Sequence, residues 1–238
     1  MNFAERRDKI MFFDYYYLIL VVPMVILSII CQINVSSVYK KYSVVSNARG
    51  LTGAEAARNI LKRNGLLDVK VERVSGRLTD HYDPRTKVLR LSDNVYSGSS
   101  VAALGVAAHE TGHALQHAQS YGPVGLRGAL YPAANVGSMA GPYIAMIGLI
   151  FNFGAMITLG LLLFAAAVLF YIVTLPVEFN ASGRALEILR NDIALSEKEL
   201  EGSKKVLRAA AMTYVASALV AVMSLARLVL LSRGRRRD

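Results

Sequence analysis

The sequence predicts a mainly α-helical membrane protein with about four transmembrane helices and a small α+β domain. Three observations predict it. The 238 residues are 54% hydrophobic with a positive mean hydropathy, and the apolar excess is gathered into long runs rather than spread as in a soluble core. Outside those runs, enough polar chain remains for one domain of about 80 residues. Within that polar part, short alternating segments precede an Ala-rich run with helical character that carries His109 and His113.

Residues 1–14 form a polar N-terminal segment. Residues 15–33 read as the first transmembrane helix, with Tyr15, Tyr16 and Tyr17 as an interfacial belt before the apolar stretch Leu18–Ile30. A cleaved signal peptide fits poorly, because Ile30-Cys31-Gln32-Ile33 is no small-residue cleavage site. The single cysteine, Cys31, lies in this run, which excludes an intramolecular disulfide and a multi-cysteine metal site.

Residues 34–121 hold the polar domain. Thr52 and Glu55 read as a capping box, Ala56, Ala57, Ile60 and Leu61 recur at helical spacing, and Gly65 stops that helix. Val69–Val74 and Lys87–Leu91 alternate and read as the two strands of a hairpin, with a turn at Asp83-Pro-Arg-Thr86. A strand beside the next helix fits either of two roles, holding an extended peptide by edge pairing or merely packing on the helix. That helix begins with Ser100–Ala108 and continues through His109-Glu110-Thr111-Gly112-His113 to His117.

Residues 122–141 are rich in Gly, Ala and Pro, and fit either a loop or a membrane helix with small packing residues. Tyr143–Leu175 contains no charge over 33 residues, too many for one untilted crossing. The reading is a transmembrane hairpin, 130–153 and 155–175, turning around Asn152-Phe-Gly154. Pro176 fits the start of a polar helix over 176–208, with a second capping box at Ser196 and Glu199. Residues 209–231 are the last transmembrane helix, near whose end Arg227 can snorkel to the interface, and 232–238 is a basic tail. The net charge of +10 admits nucleic acid as a partner. The one dense basic cluster, Arg233–Arg237, directly follows an apolar segment, so membrane orientation explains it and nucleic acid is not expected.

The H-E-x-x-H stretch carries the chemistry. Residues four apart on a helix lie on one face, so His109 and His113 aim two imidazoles at one point. Such a pair binds zinc, and Glu110 between them is placed to take a proton from an activated water. Glu110 beside two histidines on an apolar helix is costly unless something pairs them. His117 lies about 12 Å from His109 along the axis, too far to share one ion. The longer H-E-x-x-H-x-x-G-x-x-H pattern is absent. A catalytic zinc needs a third protein ligand and an open position. Asp80, His81 and Asp83 lie upstream. Glu178 meets the zinc helix if the membrane hairpin folds back, and it ranks first, with His81 second. Glu178 also reads as an acid stabilising a helix N-terminus.

His109–His113, the membrane segments after it, and Glu178-x-x-Ala181 with Arg184 and Ala185 resemble the membrane gluzincins of the HtpX type. Their second motif is Glu-x-x-Ala-Asp, whose Glu is the third zinc ligand. The chain is more closely similar to the small bacterial membrane family of neutral zinc metallopeptidases (YugP-like). That likeness lies at Leu78-Thr-Asp-His-Tyr-Asp-Pro84, Val88–Ser92, His109–Gln116 and Leu175–Phe179 with Ala181-Ser182, and covers most of residues 36–190. The resemblance implies a zincin-like catalytic domain and a Zn²⁺ ion held by His109, His113 and Glu178. It further implies Glu110 as catalytic base and an integral multi-pass protein of the bacterial cell membrane. Ser182 departs from the HtpX-type Asp, and Asn180 stands where the closer family's pattern leads one to expect Asp. A carboxylate that orients a ligating His is a common device, so neutral residues here predict weaker zinc binding or slower catalysis.

The expected activity is zinc-dependent hydrolysis of a peptide or protein substrate at the lipid bilayer. An intramembrane, site-2-type protease is the first alternative. Gln116, His117, Gln119 and Ser120 directly after the motif argue against it, as does the lack of a downstream Leu-Asp-Gly segment. A zinc-stabilised membrane scaffold is the second. A structural zinc site is usually closed by four ligands and gains little from a base such as Glu110.

Overall fold

The computed structural model describes residues 14–234. The polar segment 1–14, apart from Asp14, and residues 235–238 of the basic tail lie outside the described residues. The elements are α1 (Tyr17–Tyr42, its first turn Tyr17–Val21 π-helical), α2 (Gly53–Arg63), β1 (Lys70–Val74), β2 (His81–Asp83), β3 (Val88–Ser92), α3 (Asp93–Tyr96), α4 (Val101–Ala118), α5 (Gly122–Phe151), α6 (Gly154–Asn191) and α7 (Glu197–Gly234). Among the described residues, α1, α5, α6 and α7 are long and apolar enough to cross a membrane. The fold is that of a mainly α membrane protein with a small α+β part.

The chain forms two compact units. One comprises Cys31–Val124 and Pro176–Met212. Here the Thr52–Glu55 capping box closes the N-terminus of α2, and the buried face of that helix is Ala54, Ala57 and Leu61 on one cluster and Ala56 and Ile60 on another. The two clusters share α4: Ala103 and Ala107 join Leu89, Leu91 and Val95, whereas Leu104 and Ala108 join Leu189, Leu200 and Leu207. The helix that bears the histidines is therefore packed on two adjoining faces. Its N-terminus is capped by Ser100, whose Oγ accepts from the Ala103 amide.

The sheet differs from the hairpin expected. Its order is β1-β3-β2: β1 pairs parallel with β3, and the hairpin is β2 with β3, around the Asp83–Thr86 turn. At three residues, β2 is too short to register as an alternating segment. The stretch between Val74 and Val88 is long enough for the crossover that parallel pairing requires. The half-buried Asp80 carboxylate secures this arrangement by accepting from the Ser92 amide at 2.7 Å and its hydroxyl at 3.0 Å. Burial pushes the Asp80 carboxyl above its ordinary pKa, against the pull of those bonds.

The other unit holds the described residues of Met1–Ile30, Gly125–Leu175 and Thr213–Asp238. In it, α5 and α6 turn at Asn152, whose φ of +63° is left-handed, and lie backbone to backbone on glycines. A Cβ at Gly137 would fall 2.0 Å from the Leu163 carbonyl oxygen, and one at Gly160 2.3 Å from the Ala145 nitrogen. The stretch 122–141 is thus helical throughout, with small residues serving contact.

A further expectation is corrected. Pro176 does not begin a helix: α6 runs through it to Asn191, and the polar region expected as one helix over 176–208 is broken before Glu197. Neighbouring groups in membrane helices tolerate the one backbone bond that a proline removes. Arg227 has an acidic partner that its own helix does not supply. It is 9% exposed and donates from Nε and Nη2 to Asp14 Oδ2 at 2.8 and 2.6 Å, with its guanidinium over the Tyr17 ring. A carboxylate within reach neutralises the cation where it stands.

Candidate metal centre

His109 and His113 stand one turn apart on α4, their rings edge to face with centroids 4.7 Å apart. Glu178, on α6, is 3% exposed. Its Oε2 lies 3.4 Å from His109 Nε2 and 3.6 Å from His113 Nε2. Ligands about 2.0–2.1 Å from a tetrahedral zinc are about 3.3 Å from one another. The donor set therefore fits zinc in residue type and spacing, and among the described residues it is the cluster with ligand atoms all within 4.8 Å.

The close approach has a local cause. A Cβ on Gly112 would sit 2.8 Å from the Ala181 carbonyl oxygen. Backbone meets backbone there, beside His113 and within a turn of His109 and Glu178, and so a short glutamate side chain spans the gap. With α6 continuous through Pro176, Glu178 is in mid-helix and not the N-terminal acid of the alternative reading.

Each imidazole is also held from behind. His113 Nδ1 is 2.9 Å from Gln116 Oε1, and His109 Nδ1 is 3.2 Å from Ser182 Oγ. An Nδ1–H donated to the Gln116 carbonyl leaves the His113 Nε2 lone pair facing the centre. Burial alone would lower the His113 pKa, but the Glu178 carboxylate and the charge of Glu110 outweigh it and raise the pKa. The two carboxylates thus favour positive charge at the point where the ligand atoms converge. Glu110 itself is 9% exposed.

The other candidates go elsewhere. His81 Nδ1 bonds the Thr79 carbonyl at 2.8 Å, and Asp83 accepts from the Arg85 amide and the Thr86 hydroxyl at 2.9 and 2.7 Å. Asp80 is engaged by Ser92. His117 Nδ1 meets the Tyr82 hydroxyl at 3.2 Å. The neutral residues at 182 and 180 stand at different removes from the ligands: Ser182 faces a histidine directly, whereas Asn180 reaches His113 through Gln116. The contact of Gln116 with His113 escaped the sequence reading, although its i+3 spacing from that histidine is the signal that finds it.

The family model described as "Putative neutral zinc metallopeptidase" matches residues 17–233. The chain is 48% identical over 215 residues to "Putative membrane protease YugP" of Bacillus subtilis (strain 168), covering 90% of this chain and 96% of that one. No solved structure matches.

Proposed function

The chain belongs to the family described as "Putative neutral zinc metallopeptidase", and we propose that it is a membrane-embedded peptidase that cleaves peptide bonds with a zinc-activated water. The observation that carries this reading is the approach of Glu178 Oε2 to both histidine Nε2 atoms, 3.4 and 3.6 Å. His109, His113 and Glu178 are the ligands, and three protein ligands leave a position open. Zinc, when bound, lowers the pKa of its water and polarises a carbonyl oxygen. Glu110 takes the proton of the attacking water and returns it to the leaving amine.

The developing oxyanion needs a second donor. Arg184 is committed to Asn180 and Gln119, and His81 to a backbone carbonyl. Tyr82 lies on β2, which packs on α4, and its hydroxyl meets His117, one turn beyond His113. Burial and then the charges of Asp68 and Asp83 raise the Tyr82 pKa, which keeps the hydroxyl protonated as a donor. β2 is also an edge strand, with one side unpaired among the described residues, which supports an extended peptide as the substrate.

The test is hydrolysis of an unstructured protein such as casein by the detergent-purified chain. Cleavage should vanish after chelation and return with added zinc. Cleavage that survives complete zinc removal contradicts the reading.

A further inference from the structure

His113 stands at the end of a relay of side chains. Its Nδ1 meets Gln116 Oε1 at 2.9 Å. Gln116 is fully buried, and its Nε2 donates to the Val177 carbonyl at 2.8 Å and to Asn180 Oδ1 at 2.9 Å. Asn180 Oδ1 accepts a second bond, from Arg184 Nε, at 2.7 Å. Arg184 is anchored in turn by Nη1 on Gln119 Oε1 at 2.6 Å and by the Tyr121 ring, 6.0 Å from its guanidinium carbon.

The sense of this relay matters. An amide at 116 is the side chain that accepts on one end and donates twice on the other; a carboxylate has no proton for Val177 or Asn180. Asparagine and glutamine amides can be turned end for end, exchanging donor and acceptor. If Asn180 turned, its NH₂ would confront the NH₂ of Gln116. If Gln116 turned as well, its NH₂ would face His113 Nδ1, and the imidazole proton would move to Nε2, pointing into the ligand cluster. Guanidinium has five N–H donors, no acceptor, and keeps its charge. Arg184 therefore accepts one orientation of Asn180, and the Val177 carbonyl, an obligate acceptor, favours the same orientation of Gln116.

Resting on the zinc-peptidase reading, we propose that Arg184 is a positioning residue for the metal centre. Through Asn180 and Gln116, it holds His113 in the tautomer and ring orientation that leave Nε2 free to ligate. Asn180 is then a working link, because its oxygen receives Gln116 and Arg184 together.

Charge and positioning predict opposite signs. Removing a cation near a divalent ion tightens ion binding by Coulomb's law. Losing the orientation of a ligand weakens binding, by 10–100-fold for typical outer partners of metal ligands. The experiment is zinc affinity of the full-length, detergent-purified chain, measured by competition with a chromophoric chelator. Arg184→Ala is expected to bind zinc about 10-fold more weakly than wild type, at the low end of that range because Val177 remains. Arg184→Gln, which puts an uncharged N–H donor at the position of Nε, is expected to recover part of the loss. Asn180→Ala breaks the relay one bond nearer the imidazole, should weaken zinc at least as much, and carries the test if Arg184→Ala fails to fold. Wild-type or tighter affinity in either alanine variant overturns the proposal, and so does equal weakening in Arg184→Ala and Arg184→Gln. Absence of zinc binding in the wild type would instead overturn the peptidase reading itself.

Discussion

Glu110→Gln is expected to bind zinc like the wild type and to lose peptide hydrolysis by about 10²–10⁴-fold, the usual contribution of a positioned general base. The two side chains have nearly the same shape, so the packing of α4 is preserved. Glu110 is outside the set of three converging ligand atoms, so the donor set also survives. What is lost is the ability to take a proton, since a glutamine amide is not basic. The loss should fall on kcat, because the proton moves in the chemical step. Zinc content and thermal midpoint, measured on the same preparation, separate this outcome from misfolding. Retained hydrolysis would remove Glu110 from the mechanism.

Gly112→Val is expected to abolish zinc retention without touching a ligand. The added Cβ would meet the Ala181 carbonyl oxygen at 2.8 Å, and the atom in the way is backbone, which no rotamer change relieves. The two helices must part. A shift of even 1 Å exceeds the tolerance of about 0.2 Å in metal–ligand distances. Gly183 is the control on the facing helix, since a Cβ there meets nothing within 4 Å. Gly183→Ala should keep zinc and gain about 0.5–1 kcal/mol from its better helix propensity. Zinc bound normally by Gly112→Val would mean that the backbone contact does not set the position of Glu178.

The parts of the protein that follow from local periodicity were legible in the sequence. His109 and His113 are four apart on a helix, and that spacing alone converges their rings. The apolar runs mark the helices able to span a membrane, and the Thr52–Glu55 box marks the start of α2. Other features depend on partners distant in sequence and carry no local signal. The parallel pairing of β1 with β3 is one, because alternation does not encode direction. The Gly112–Ala181 contact is another, since a glycine inside a motif reads as filler until the facing helix is known. Pro176 misleads because it usually opens helices in water, whereas a membrane helix carries it internally. The acidic partner of Arg227 is not legible from its own helix, because Asp14 is more than 200 residues away. Asn180 was readable as a neutral residue. Its actual neighbours, Gln116 and Arg184, become visible once α4 and α6 are docked.

The metal centre itself is tested most directly by the zinc content of the detergent-purified protein, prepared with zinc present, for wild type beside Glu178→Ala. The arrangement of His109, His113 and Glu178 predicts about one zinc per chain in the wild type and its loss in the variant, because two imidazoles alone leave the ion short of the three protein ligands of a catalytic site. No zinc in the wild type, or the same stoichiometry in Glu178→Ala, would contradict it.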